Sequence, residues 1–204
     1  MDKLEEICDT ALEMFLINGY VQSPLSQIAS AVGLTKAGLY HYFKSKEELL
    51  FLIHERHLKI HFIPILEKAE RIPDPEERIS FFMTSYTKHA MAEDPSAKVL
   101  VHEVGHLLPH HRKTIEDVWR RTLDLFRNAF VELETSGRIK PLNKTFAAFA
   151  ALGMCSWTFY WFDHDRKETA DELCRTYVEI FLHGLMDQKK PFLSQSREER
   201  KEDV

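Results

Sequence analysis

A glycine between two short amphipathic segments, followed at once by a third capped segment, constrains this chain more than any other feature. Residues 23–48 read SPLSQIASAVGLTKAGLYHYFKSKEE. Ser23 suits the cap of a first helix, and Pro24 its opening position, where a missing amide hydrogen costs nothing. Leu25, Ile28, Ala29 and Val32 recur at helical spacing and give that helix one apolar face. Gly33 can adopt the left-handed conformation that a side chain resists, so the chain turns there. Thr35 caps a second helix over Lys36 to Phe43, in which Leu39 and Phe43 dock inward while Lys36 and Tyr40 share another face. Ser45 and Glu48 form a capping box that starts a third helix, with Lys46 in its first turn. Such a pair of helices around a tight turn is the arrangement that seats one helix in the major groove of DNA.

The stretch GLTKAGLYHYFKSKEELL closely resembles the hallmark segment of the tetracycline-repressor (TetR) family of one-component transcriptional regulators. Cap, turn, the aromatic trio Tyr40, Tyr42 and Phe43, and the following Lys46 all fall in register. Upstream, Ile7, Ala11, Leu12 and Phe15 repeat at helical spacing, and Asn18-Gly19-Tyr20 ends that helix as in the family. The motif covers roughly the first quarter of the chain; beyond residue 50 the likeness is one of helical layout and length. It implies an all-α fold of about nine helices. A three-helix helix-turn-helix DNA-binding domain would span 1–46, a ligand-binding and dimerisation domain 47–190, and a polar tail 191–204. It also implies a homodimeric repressor on a palindromic operator in double-stranded DNA. A small-molecule effector buried among the middle helices would move the fourth helix and release it; activation in place of repression stays open.

The net charge of −5 runs against DNA binding, but the distribution does not. From Phe15 to Lys46 there is no Asp or Glu, while Lys36, Lys44 and Lys46 are present, so the segment is locally positive within an acidic molecule. Cys8, Cys155 and Cys174 match no paired metal or redox spacing, which fits a reduced cytoplasmic compartment. Asp2, Glu5 and Glu6 stand where a secretion signal needs positive charge. The uncharged run 145–162 sits at the short end of membrane-spanning length and contains Gly153 and Ser156; a buried dimer helix explains it better, with no membrane partner.

Helical periodicity and breakers predict further helices. A fourth runs from Lys46 to about Ala69, bent near Pro64, and a fifth covers Glu76 to Met91. A sixth opens at Pro95 and ends before Pro109. The last three cover His111–Thr135, Asn143–Phe162 and Lys167–Met186.

Chemistry assigns roles on the reading helix. Lys36 faces either a guanine edge or a phosphate, Ala37 and Thr35 suit thymine methyl groups, and Gly38 permits close backbone approach. Tyr40 and Tyr42 offer hydroxyls to phosphates, His41 points to the groove or to solvent, and Lys46 sits at a helix start that favours a phosphate. With Ser23 these form the expected DNA-contacting set. For the effector, Phe82, Tyr86, Phe126, Phe130, Phe149, Trp157 and Tyr160 suggest an apolar pocket, bordered by His102, Glu103 and His106; core packing is the alternative for each aromatic. Phe146, Phe149, Ala150, Gly153, Trp157 and Trp161 share one helical face, as do Tyr177, Phe181 and Leu185. Phe146, Ala150, Trp161, Tyr177, Phe181 and Leu185 are the expected dimer contacts. Arg112, Arg120, Arg121 and Arg127, with the late aromatic group, look similar to regulators of fatty-acid or aromatic-acid degradation; that likeness implies an acyl-coenzyme A thioester, whose phosphates suit arginine.

One motif competes. His102-Glu103-Val104-Gly105-His106 matches HExxH, which on a helix places two histidines on zinc with a glutamate as base. The alternative readings are therefore a metal-responsive regulator or a zinc-dependent hydrolase. Pro109 and Gly105 weaken the helix this requires, and no GxSxG, Walker or dinucleotide motif is present. The expectation is no enzyme, no catalytic residue, no metal and no cofactor.

Overall fold

The computed structural model describes residues 2–91, 99, 102–161 and 169–184, with residues 159–161 as backbone alone. Among them every regular element is helical: α1 (Lys3–Asn18), α2 (Leu25–Ala31), α3 (Lys36–Leu39), α4 (Lys46–His57), a π-turn (Leu58–Phe62), α5 (Ile63–Glu70), α6 (Pro75–Met91), a 3-10 turn (Val104–His106), α7 (Pro109–Thr135), α8 (Lys144–Trp161) and α9 (Ala170–His183). The predicted sixth helix, from Pro95, and the tail 191–204 lie largely or wholly outside the described residues.

Local chemistry accounts for the boundaries. Asp2 caps α1 in a reciprocal box with Glu5, and Gly19 ends it at φ +82°. Gly33, at φ +70°, lets Leu34 N–H reach back to the Ala29 carbonyl at 2.8 Å, closing α2. The predicted long fourth helix is three elements, and Pro64 is the reason. It has no N–H to continue the ladder, so Ile63 N–H bonds to the Leu58 carbonyl five residues back and the backbone widens into a π-turn. Asp74 caps α6 by accepting from Glu76 and Glu77 N–H at 2.9 and 3.0 Å.

α1, α2, α3 and the start of α4 enclose Ile7, Ala11, Phe15, Ile28, Leu39, Phe43, Leu49 and Leu50, all buried. This head is held to α4 by the Arg56–Asp9 ion pair. α6 is the axis of the second half and packs on α5, α7, α8 and α9. The buried stripe of α7 (Ile115, Thr122, Leu125, Phe126, Ala129, Phe130, Leu133) follows helical spacing, while its remaining surface is charged. No described helix is long and apolar enough to cross a membrane.

Candidate functional site

The tip of the reading helix is built from inside out. Leu39 and Phe43 are buried, and Thr35 accepts from Gly38 N–H at 3.0 Å. Lys36, Ala37, Tyr40, His41 and Tyr42 are consequently turned outward and exposed. The α-helix itself is shorter than the sequence suggests, ending at Leu39. Tyr40 and His41 N–H then bond three residues back, at 3.2 and 3.3 Å, so residues 40–43 form a tighter turn.

Two expected DNA contacts are elsewhere. Ser23 is buried and caps nothing; its hydroxyl donates to the Met14 and Gly19 carbonyls at 3.0 and 2.9 Å, tying the start of α2 to α1. Pro24, one residue on, takes the N-cap position, which leaves Ser23 to face α1. Lys46 bends inward: its amine donates to the Tyr20 carbonyl and, at 3.3 Å, to that of Val21, and lies 4.4 Å above the Tyr20 ring. Burial pulls this amine below the usual lysine range, against the opposing pull of Glu103.

Glu103 and its neighbours form a joint between the two halves. Its carboxylate accepts from Tyr20 N–H at 3.3 Å and lies 3.4 Å from His106 Nε2, and the His106 ring rests on Tyr20 with centroids 5.1 Å apart. Burial first, then Glu47 and Glu103, push the Tyr20 phenol up. A second strap runs beside it. Glu47 accepts from Leu108 N–H at 2.8 Å and meets His111 Nδ1 at 2.9 Å, while Phe51 stacks on His111 at 3.9 Å and 5°. Glu103 and His106 therefore brace the reading head, and His102 is exposed beside them. The HEVGH segment carries no α-helix through Val104–His106, so the one-face geometry of a zinc helix is not formed.

Of the expected pocket residues, Phe82, Phe126 and Phe130 are buried and Tyr86 half-buried, and they pack on one another. Phe82 meets Phe126 edge-on at 5.3 Å and Phe62 at 5.9 Å, and Tyr86 meets Phe62 at 5.2 Å. Phe149 and Trp157 are not among them. They are 57% and 63% exposed, on the face of α8 that also carries Phe146 at 70%, Ala150 and Gly153, whereas Ala148, Ala151, Cys155 and Thr158 form the buried face. The spacing explains the error, because an apolar helix with two apolar faces gives no sign of which is inward. Tyr177 and Phe181 are half-buried against their own chain: the Tyr177 hydroxyl lies 3.4 Å from Thr158 Oγ1, and Phe181 lies 5.9 Å from Phe130. The side chains of Tyr160 and Trp161, and Leu185 entirely, lie outside the described residues.

The four arginines all have internal acceptors. Arg112 donates to the Gly105 and Leu107 carbonyls, Arg120 pairs with Asp117, Arg121 with Glu70 and Arg127 with Asp124. Arg120 and Arg121 line a surface groove of about 530 Å³ together with Arg78, Glu70, Asp117 and Glu132.

Residues 7–53 match the profile of bacterial regulatory proteins of the tetR family, and residues 73–185 match that of the tetracyclin repressor-like C-terminal domain. The chain belongs to the tetR family. It is a DNA-binding, ligand-responsive transcriptional repressor. It is similar to the fatty acid metabolism regulator protein of Bacillus subtilis (strain 168), 24% identical over 90% of this chain and 95% of the relative. Among solved structures it resembles AibR in complex with isovaleryl coenzyme A and operator DNA, at 27% identity and a TM-score of 0.81, over 89% of this chain and 98% of the other. PfmR, a TetR family regulator from Thermus thermophilus, is 29% identical with a TM-score of 0.79, over 89% and 99% of the two chains.

For a tetR-family repressor, the residues that the sequence reading missed are those of the joint: Tyr20, Glu47, Phe51, Leu108 and His111. Their partners are 60 to 83 positions away, so no local spacing announces them. The three cysteines are buried and unpaired, and burial pushes the Cys8 and Cys155 thiols up to about 11.

Proposed function

We propose that this chain acts in the cytoplasm as a homodimeric repressor that binds a palindromic operator and leaves it on binding an acyl-coenzyme A thioester. The observation that carries the DNA half is the exposed surface of Lys36, Ala37, Tyr40, His41 and Tyr42, anchored by Leu39 and Phe43 within a stretch free of acids. Thr35 supports that surface as its cap by accepting from Gly38 N–H. Residues 1–46 form the DNA-binding unit in this reading, and the remainder binds effector and partner.

The dimer follows from α8. Phe146, Phe149, Ala150, Gly153 and Trp157 leave one apolar side outward, and a second copy of the same face is the occupant that a two-fold operator requires. Two reading helices about 34–36 Å apart then read successive major grooves. Replacing Phe149 by Glu is expected to give monomers by sedimentation and to abolish cooperative operator binding, whereas a dimer that survives it places the interface elsewhere.

The effector class rests on the relatives, one named for fatty acid metabolism and one solved with isovaleryl coenzyme A. Within this chain the aromatic block of Phe62, Phe82, Tyr86, Phe126 and Phe130 is self-packed, so an acyl chain entering there must part the rings. Such a ligand distinguishes two arrangements of the domain, which a regulatory ligand must do. The arginines of α7 would meet phosphates only by exchanging their present carboxylate or carbonyl acceptors. Glu103 and His106 are committed to Tyr20, and the reading includes no catalytic step.

Footprinting of DNA upstream of the protein's own gene tests the proposal: one protected palindrome is expected, released by long- or branched-chain acyl-coenzyme A and not by the free acids. No protected palindrome removes the operator reading; protection indifferent to every thioester removes the effector.

A further inference from the structure

The end of α4, the π-turn and α6 bring three imidazoles together. His57 closes α4, His61 lies four residues on in the π-turn, and His89 comes from the last turn of α6. Their ring centroids form a nearly equilateral triangle, 5.1 Å (His57–His61), 4.9 Å (His57–His89) and 5.0 Å (His61–His89). The Nε2 atoms of His57 and His89 are 3.2 Å apart. His57 is buried, and the other two are half-buried.

These distances are those of three histidines around one tetrahedral ion. With metal–nitrogen bonds of about 2.0–2.1 Å, two imidazole nitrogens at the tetrahedral angle stand about 3.3 Å apart, and their ring centroids about 5.2 Å apart. The cluster meets the second condition for all three pairs and the first for one. As they stand the three rings do not aim at a common point, and no trio of donors is gathered around one centre among the described residues. Convergence of the three donors requires the rings to turn about their Cβ–Cγ bonds, a rotation that leaves the centroids close to where the triangle already places them. A π-turn inside a helix is itself a frequent companion of functional sites, and here it begins directly after His57 and contains His61.

We propose that His57, His61 and His89 form a three-histidine site for a divalent transition metal of the zinc type, with the fourth position left to water or an anion. Neutral imidazole suits zinc, cobalt and nickel alike. Because the ligands belong to α4 with its π-turn and to α6, a bound ion clamps the helix that carries the reading head to the axis of the effector domain. The proposal is separate from the HEVGH segment, whose Glu103 and His106 face Tyr20.

Cobalt titration of the chelator-treated full-length protein tests this without DNA or effector. One equivalent per chain is expected to give the intense visible absorption of four-coordinate cobalt and to raise the melting temperature. His89→Ala is expected to weaken binding by more than the roughly 10–100-fold that loss of an outer-sphere partner costs, and to remove the absorption. His61→Asn, at a half-buried position in the turn, keeps the test open should His89→Ala fail to fold. His106→Ala is expected to leave the titration unchanged. Absence of the absorption, its persistence in both cluster variants, or its loss in His106→Ala overturns the assignment.

Discussion

The tip of α3 and the outer surface of α7 are both basic to the eye, and the structure treats them in opposite ways. On α7, Lys113 and Arg120 share Asp117, Arg127 has Asp124, Arg121 has Glu70 of α5, and Arg112 has backbone carbonyls. On the head, Lys36 stands exposed in a segment with no acid from Phe15 to Lys46. The denser positive sequence is thus the more nearly neutral surface, and the sparser one is left to meet phosphate. A count of Lys and Arg does not locate an anion site; the count of acids within reach does.

The strongest way to break this comparison is to remove what holds the α3 tip outward. Leu39 is fully buried in the core of the head, so Leu39→Ala is expected to cost about 2–5 kcal/mol and to abolish footprinting, with the loss visible in thermal melts. A variant that melts normally yet fails to bind would show that Leu39 acts at the DNA surface.

The next test separates two lysines that the sequence treats as equals. Lys36→Ala is expected to weaken the operator complex by about 1–3 kcal/mol and, if it meets phosphate, to lower the salt slope by about 1. Lys46→Met is expected to leave the slope unchanged, since its amine is already given to the Tyr20 and Val21 carbonyls. Equal slopes for the two variants would return Lys46 to the DNA surface.

This pair also shows what the sequence makes legible. Caps, the Gly33 turn and the inward Leu39 and Phe43 are decided within four or five residues, so periodicity finds them. The orientation of Lys46 is decided by Tyr20, 26 positions away, and by Glu103 beyond it. On α8 the difficulty is different: both faces are apolar, and only the packing of Ala148, Ala151 and Cys155 against the rest of the chain tells inside from outside. The boundary at His57 is hidden because Pro64 reads as a bend, while its consequence, a π-turn, begins six residues earlier.

A smaller effect is expected at the joint. Glu103→Ala leaves the part-buried Tyr20 N–H without its carboxylate and deprives His106 of its partner charge. The loss of such an acceptor costs about 1–3 kcal/mol, and it falls on the connection between the halves and not on either surface. Operator affinity measured with and without effector is therefore expected to converge, their ratio dropping roughly tenfold for each 1.4 kcal/mol of coupling lost. An unchanged ratio would transfer the coupling to the Glu47–His111 strap alone.

The smallest effect returns to α7. Arg121 forks onto Glu70 at 2.7 and 2.5 Å, the best-formed ion pair on that helix, and both side chains remain well exposed. Hydrogen bonding to Glu70 holds the Arg121 guanidinium above its ordinary range, but solvent screening leaves exposed pairs of this kind worth about 0–1 kcal/mol. Arg121→Ala is accordingly expected to move the melting temperature little and to leave operator affinity and its salt slope as they were. If the salt slope falls instead, Arg121 exchanges Glu70 for phosphate on binding, and the contrast between a neutralised α7 and an available α3 fails at its best-paired residue.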